Sequence, residues 1–135
     1  MIQDSKKSYH NLILWEKFKE LLLLTYELTT KLPDSEKFNL ISQMRRAVVS
    51  VISNFIEGYL KSTTKNKLHF MEISETSLME LEGQSEVCLM LRYWTEAEYA
   101  SYDKKRSEAA YFLYRYKLGI TARGTRDTSG TRSTP

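Results

Sequence analysis

Apolar residues in this chain recur three and four positions apart through long stretches that almost nothing interrupts. One series runs Leu12, Trp15, Phe18, Leu22, Tyr26 and Thr29, and a second runs Ile41, Met44, Val48, Val51, Phe55 and Tyr59. A third comprises Leu68, Met71, Leu78, Leu81, Cys88 and Leu91, and a fourth Tyr99, Tyr102, Arg106, Ala109, Leu113 and Tyr116. A half-buried strand hides every second residue, whereas a helix hides one stripe of a 3.6-residue repeat, so the spacing predicts four amphipathic helices.

The breaks between the series carry helix-ending and helix-starting signals. The first helix spans about Tyr9 to Lys31 and is stopped by Pro33. The second begins near Asp34 or Ser35, either of which can cap it, and closes near Gly58. Ser62-Thr63-Thr64 supplies a turn and an N-cap for the third, about Lys65 to Trp94. Thr95 followed three residues later by Glu98 reads as a capping box for the fourth, and Gly119 as its left-handed C′ residue. Helices of this length on short links must return alongside their neighbours, so the expected fold is all-α, an antiparallel up-down-up-down four-helix bundle over 9–120. Residues 1–8 are expected to be a flexible N-terminus and 121–135 a disordered polar, basic tail.

At 135 residues such a bundle closes around one core without staples. Cys88 is the single cysteine, no Asn-x-Ser/Thr sequon occurs, and Met1 to Lys7 is polar. The most apolar run, Leu21 to Leu24, falls far short of the roughly 20 residues that span a bilayer. These features point to a reducing, cytoplasmic setting with no membrane partner. Cys88, flanked by Val87 and Leu89, reads as a packed thiol and not a nucleophile. His69 and Glu72 form one His-x-x-Glu, the reverse of the Glu-x-x-His pairs that hold metals in helical bundles, and it occurs once. With no triad spacing and no glycine-rich phosphate loop, no cofactor, no metal and no catalytic residue are expected.

Two polar features remain as binding candidates. Gln43, Arg46, Ser50, Asn54 and Glu57 recur every three or four residues on the second helix, and Ser77, Glu80 and Gln84 do so on the third. The first row lies nearly opposite the apolar stripe; it is either a solvated face or, being rich in amides and hydroxyls, a subunit or RNA interface. Sign and spacing suggest that the third-helix acids counter Arg45 and Arg46, with Arg46 and Glu80 as the pair. The second feature is charge asymmetry: residues 104–135 hold eight Lys/Arg against two acids, and residues 1–103 twelve against fifteen. Lys104 and Lys105 precede a run in which Tyr111, Phe112, Tyr114 and Tyr116 are interleaved with Arg115 and Lys117, a combination suited either to single-stranded RNA or to the edge of the core or a subunit contact.

Leu32-Pro33, Glu36, Phe38, Leu40, Ser42-Gln43, Arg45-Arg46-Ala47, Ser50, Asn54, Ile56-Glu57-Gly58 and Ser77-Leu78-x-Glu80-Leu81-Glu82-x-Gln84 together resemble the four-helix-bundle proteins encoded in intervening sequences of bacterial large-subunit rRNA genes. The resemblance covers about residues 9 to 118 and includes Leu12 and Trp15. It implies a ring-like homo-oligomer, typically of five subunits, with a nucleic-acid role in RNA or DNA. A related group, the accessory proteins of diversity-generating retroelements, implies a protein partner as well, a reverse transcriptase. Neither group supplies a catalytic residue. The proline that the family usually carries in the second helix is replaced here by Ile52, which implies a straighter helix.

Overall fold

In a computed structural model, the structure describes the backbone of residues 7–132 and the side chains of 7–124. It is all-helical, with no strand among the described residues, and its four long helices are α1 (Ile13–Thr29), α2 (Ser42–Leu60), α3 (Thr64–Met90) and α4 (Glu96–Arg132). They share one core in which Phe18, Leu21, Met44, Val51, Phe55, Met71, Leu81, Tyr102 and Leu113 are almost fully buried. Aromatic rings close one end: Phe55 meets Phe18 at 5.3 Å and Tyr116 at 5.4 Å, and Tyr9 covers Tyr59 at 5.3 Å. At the other end Trp94 packs with its ring 5.0 Å from that of Tyr102 and donates its indole N–H to the carbonyl of Leu28 at 2.9 Å.

Helix ends follow local chemistry. Thr63 Oγ1 accepts from the Asn66 amide at 3.1 Å and starts α3. The Thr95–Glu98 capping box is reciprocal, Thr95 N donating to Glu98 Oε1 at 2.9 Å and Glu98 N to Thr95 Oγ1 at 3.1 Å. The start of α2 differs from the expectation at Asp34 or Ser35. A 3-10 turn (Asp34–Glu36) and a π turn (Lys37–Ile41) come first, and α2 proper starts at Ser42. Glu36 does the capping: its carboxylate accepts from the Leu40 amide, the Asn39 side chain and the Tyr93 hydroxyl. A carboxylate that reaches three donors outcompetes the single bond available to Asp34 or Ser35.

α3 also ends earlier than Trp94. Tyr93 N reaches Cys88 O at 2.9 Å and Arg92 N reaches Leu89 O at 3.0 Å, the two bonds of a Schellman cap, and Arg92 holds the left-handed position with φ 61°. Leu91 is consequently turned out, 52% exposed, while Trp94 drops into the core.

α4 runs through Gly119, which keeps a negative φ, and on to Arg132 in place of the irregular tail expected after residue 120. Ile120 is buried, so the helix still has a core contact beyond Gly119. A Cβ added at Gly124 would lie 2.7 Å from Thr64 Oγ1, so that glycine lets α4 cross the start of α3. Residues 1–6 and 133–135 of the expected flexible ends lie outside the described residues.

The expected stripes of α2 and α4 face the core; that of α1 is misphased. Its buried residues are Leu14, Phe18, Leu21, Thr25, Leu28 and Thr29, while Leu12, Trp15 and Leu22 sit half-buried at the edge and Tyr26 is exposed. The run Leu21 to Leu24 offers two apolar stripes, and Thr25 resolves the ambiguity: its hydroxyl caps the Leu21 carbonyl at 2.7 Å and hydrogen-bonds the Tyr102 hydroxyl at 2.7 Å. That leaves the Thr25 donor satisfied, and a threonine outside the expected stripe is drawn inward.

Candidate functional site

The polar rows of α2 and α3 do not diverge from the bundle; they meet. Ser77 Oγ donates to Ser50 Oγ at 2.9 Å, and Asn54 Nδ2 reaches both Ser50 O and Ser50 Oγ at 3.0 Å. Close approach is possible because the facing residues are small. Gly58 leaves no room for a Cβ, which would fall 3.0 Å from Lys67 O, and buried Ser74 donates to Val51 O at 2.6 Å. The polar row is therefore partly a helix–helix contact, with Ser77 buried and Ser50 and Asn54 half-buried, while Gln43, Arg46, Glu57 and Glu80 reach solvent.

Along this seam lies an open groove of about 350 Å³ lined by Gln43, Arg46, Ala47, Ser50, Glu80 and Gln84. Five of those six belong to the sequence-identified rows. Ala47 was not identified; it forms the floor because its small side chain separates the longer ones on either side, a signal visible only once the α3 register is known. The groove holds unused hydrogen-bonding capacity. Gln84 Oε1 is buried with no partner, which costs on the order of 1–3 kcal/mol unless something donates to it. The expected Arg46–Glu80 ion pair does not form: both line the groove, yet no contact within 4.0 Å joins them. Gln43 donates to Asn39 Oδ1 at 2.8 Å, and Glu57 pairs with Lys61 at 3.3 Å.

Arg45 turns away from α3. Its Nε donates to Thr29 Oγ1 at 2.9 Å and its guanidinium lies 4.6 Å from the Tyr26 ring, so it fastens α2 to α1 and meets none of the α3 acids proposed as its counter-charges.

The basic residues of α4 divide in the same way. Lys105 donates to Glu20 at 3.0 Å and Lys117 to Glu75 at 2.8 Å. Each hydrogen bond holds its lysine above the usual ammonium range and marks it as engaged. Lys104 and Arg115 stand on the outer face of α4, opposite buried Tyr102, Ala109 and Leu113. Arg115 donates to the Tyr111 hydroxyl at 2.9 Å, with its guanidinium 5.8 Å from that ring. Tyr111 and Tyr114, 52% and 49% exposed, complete a strip of rings and cations along this face. Tyr116, from the same sequence run, is turned into the aromatic end of the core.

Chemistry elsewhere is sparse. Cys88 is buried 3.8 Å from the Met44 sulfur, and burial pushes its thiol up to about 12, far from a thiolate at neutral pH. Among the described residues no group of three or more His, Cys, Asp or Glu side chains is placed to hold a metal ion; His69 faces solvent beside Phe70. No described helix is long and apolar enough to cross a membrane.

Comparison with solved structures finds a similar fold in the crystal structure of a protein of unknown function from the S23 ribosomal protein family of Bacteroides thetaiotaomicron. The two share 20% sequence identity and a TM-score of 0.72 over 78% of this chain and 96% of that one. No curated protein sequence matches. At that identity the structural likeness speaks for the fold alone. The family model of the 23S rRNA-intervening sequence protein matches residues 10–115, which takes in all of α1, α2 and α3, both polar rows and the α4 strip, and the chain belongs to that family.

Proposed function

We propose that the chain is a non-enzymatic, self-assembling binding module that engages single-stranded RNA in the cytoplasm. The observation that carries this reading is the outer strip of α4, where Tyr111 and Tyr114 present half-exposed rings beside Lys104 and Arg115, cations with no carboxylate partner among the described residues. Bases stack on such rings without sequence preference, and the cations meet phosphates. The family's name, 23S rRNA-intervening sequence protein, is compatible with an RNA partner. The helices run up-down-up-down and antiparallel, a course supported by the pairing of Arg45 with Thr29 and of Ser74 with Val51. Assembly is a ring of five copies, following the family resemblance. Arg46, Glu80 and Gln84 are suited to contacts between subunits, because the groove leaves a cation, an anion and a buried acceptor for a neighbour to satisfy.

That same groove favours a second reading, a protein adaptor such as a reverse-transcriptase accessory subunit, since mixed charge suits a protein surface better than a polyanion. Salt separates the two. Two phosphate contacts per chain to single-stranded RNA give a log–log slope of about −1.4, so affinity drops roughly sevenfold between 50 and 200 mM salt. Fluorescence anisotropy with a labelled oligoribonucleotide should show that drop, and Tyr111→Ala should weaken binding on the order of tenfold. RNA binding indifferent to Lys104→Ala, Tyr111→Ala and Arg115→Ala alike would remove the α4 strip as its site, and no binding of the native chain to RNA would remove the RNA reading and leave the adaptor.

A further inference from the structure

α1 carries more apolar surface than the core uses. Beside its buried face it presents Leu22, Leu23 and Tyr26, rotated by roughly a quarter-turn or more from the core direction. Leu23 is 68% exposed. α2 mirrors this with Val49, Ile56 and Leu60 on the side away from α3, and Leu60 is 71% exposed. Side-chain contacts set the register between the two helices. Arg45 meets Thr29 and Tyr26 at one end, and Trp15 lies 6.5 Å from Phe55 at the other. Leu22 and Leu23 therefore fall midway, across from Val49, and the apolar residues form one continuous face over the α1–α2 seam.

Charge argues against a nucleic acid on this face. Its cations are already engaged within the chain: Lys19 with Glu16 at 3.2 Å, Lys61 with Glu57 at 3.3 Å, and Arg45 against Tyr26. A polyanion would meet leucines, and the unpaired cation nearest Val49 among the described residues, Arg46, belongs to the α2–α3 groove. Size argues for a second copy. Helices of 17 and 19 residues run about 26 and 28 Å at 1.5 Å per residue, and two side by side are roughly 20 Å wide. The projected area is on the order of 500 Å², and the corrugated accessible area is larger, approaching the ~800 Å² per partner of a stable interface.

We propose that the α1–α2 face docks on the same face of a second copy through a two-fold contact. Like then meets like: each copy buries its second apolar stripe, and the ion-paired rim stays wet. The proposal rests on the self-assembly put forward above and names the surface for it. It is distinct from the α2–α3 groove, so a ring built through that groove would be doubled here.

Leu23→Glu and Val49→Glu test it on the full chain, with mass in solution measured by light scattering and helicity by circular dichroism. Both sites are exposed, so each variant should keep its helicity while the mass of the assembly falls by half. An assembly whose mass neither variant changes overturns this surface and leaves self-assembly standing. A native chain that stays single at high concentration overturns both. Should the variants lose helicity, Val49→Cys replaces them: under mild oxidant a disulfide-linked pair supports the two-fold contact and single chains overturn it, with Cys88 buried and silent.

Discussion

Arg92 shows how one residue records a conflict between backbone and side chain. The Schellman cap of α3 requires a positive φ at its C′ position, which glycine adopts without penalty and arginine only against a clash with its own Cβ. Arg92→Gly should accordingly raise stability by about 1 kcal/mol, read as a higher urea midpoint with an unchanged slope. A neutral or negative shift would mean that the arginine side chain contributes contacts that offset its strain. Gln84 presents the converse case, in which backbone conformation is ordinary and a buried oxygen lacks a donor. Neither feature is legible in the sequence, since a Gly-free C′ and an orphaned amide exist only relative to neighbours folded against them. Cys88 is the opposite: surrounded by apolar residues in sequence, it is an inert thiol in the structure for the same reason, burial.

At the scale of the helices, glycine positions predict opposite outcomes for one substitution. A Cβ at Gly58 would meet Met71 Cε at 2.9 Å, Lys67 O at 3.0 Å and Phe70 Cβ at 3.0 Å, and the carbonyl cannot move without shifting α3. Overpacking there costs about 1–3 kcal/mol and exceeds the helix-propensity gain, so Gly58→Ala should lower the denaturation midpoint. At Gly83 nothing lies within 4 Å, and Gly83→Ala should raise it by up to about 1 kcal/mol. A gain at Gly58, or a loss at Gly83, would contradict the packing described for α2 and α3. The helices themselves were legible wherever apolar spacing was unambiguous. Tyr102, Arg106, Ala109 and Leu113 of α4 are all buried as the pattern requires, and the Thr95–Glu98 box forms as spelled. α1 was misread because Leu21 to Leu24 satisfies two phases equally well, and only a hydrogen bond from Tyr102, 77 residues away, selects one. The polar rows of α2 and α3 were legible as rows. Their meeting was not, because it depends on small residues at Gly58, Ser74 and Ser77 allowing the two helices close together.

For the molecule as a whole, the titrating groups tied into the fold set a window of stability. On the acid side Glu36, Glu20 and Glu98 are held below the usual carboxylate value of 4.5. The causes are the Tyr93 hydroxyl at Glu36, the Lys105 ammonium at Glu20 and the Thr95 amide at Glu98. A carboxylate with a lowered folded pKa binds fewer protons folded than unfolded, so its contribution is complete above the unfolded value and fades as pH falls through the folded one. On the alkaline side Tyr102 is pushed above its ordinary value of 10.0 chiefly by burial, and Tyr99, bonded to Glu86, is pushed up to about 12. A phenol with a raised folded pKa keeps its proton longer in the folded state, so stability is complete below about 10 and declines as pH rises beyond it. Urea midpoints measured from pH 3 to 12 should therefore describe a plateau between about 4.5 and 10 with losses on both flanks. Two variants assign the flanks. Glu36→Gln should flatten part of the acid limb, because the Tyr93 and Leu40 donors keep a neutral acceptor. Tyr102→Phe should remove much of the alkaline limb while destabilising the plateau by about 1 kcal/mol through the lost hydrogen bond to Thr25, whose hydroxyl still donates to the Leu21 carbonyl. An alkaline limb untouched by Tyr102→Phe would show that Tyr102 is not the buried group whose ionisation opens the bundle.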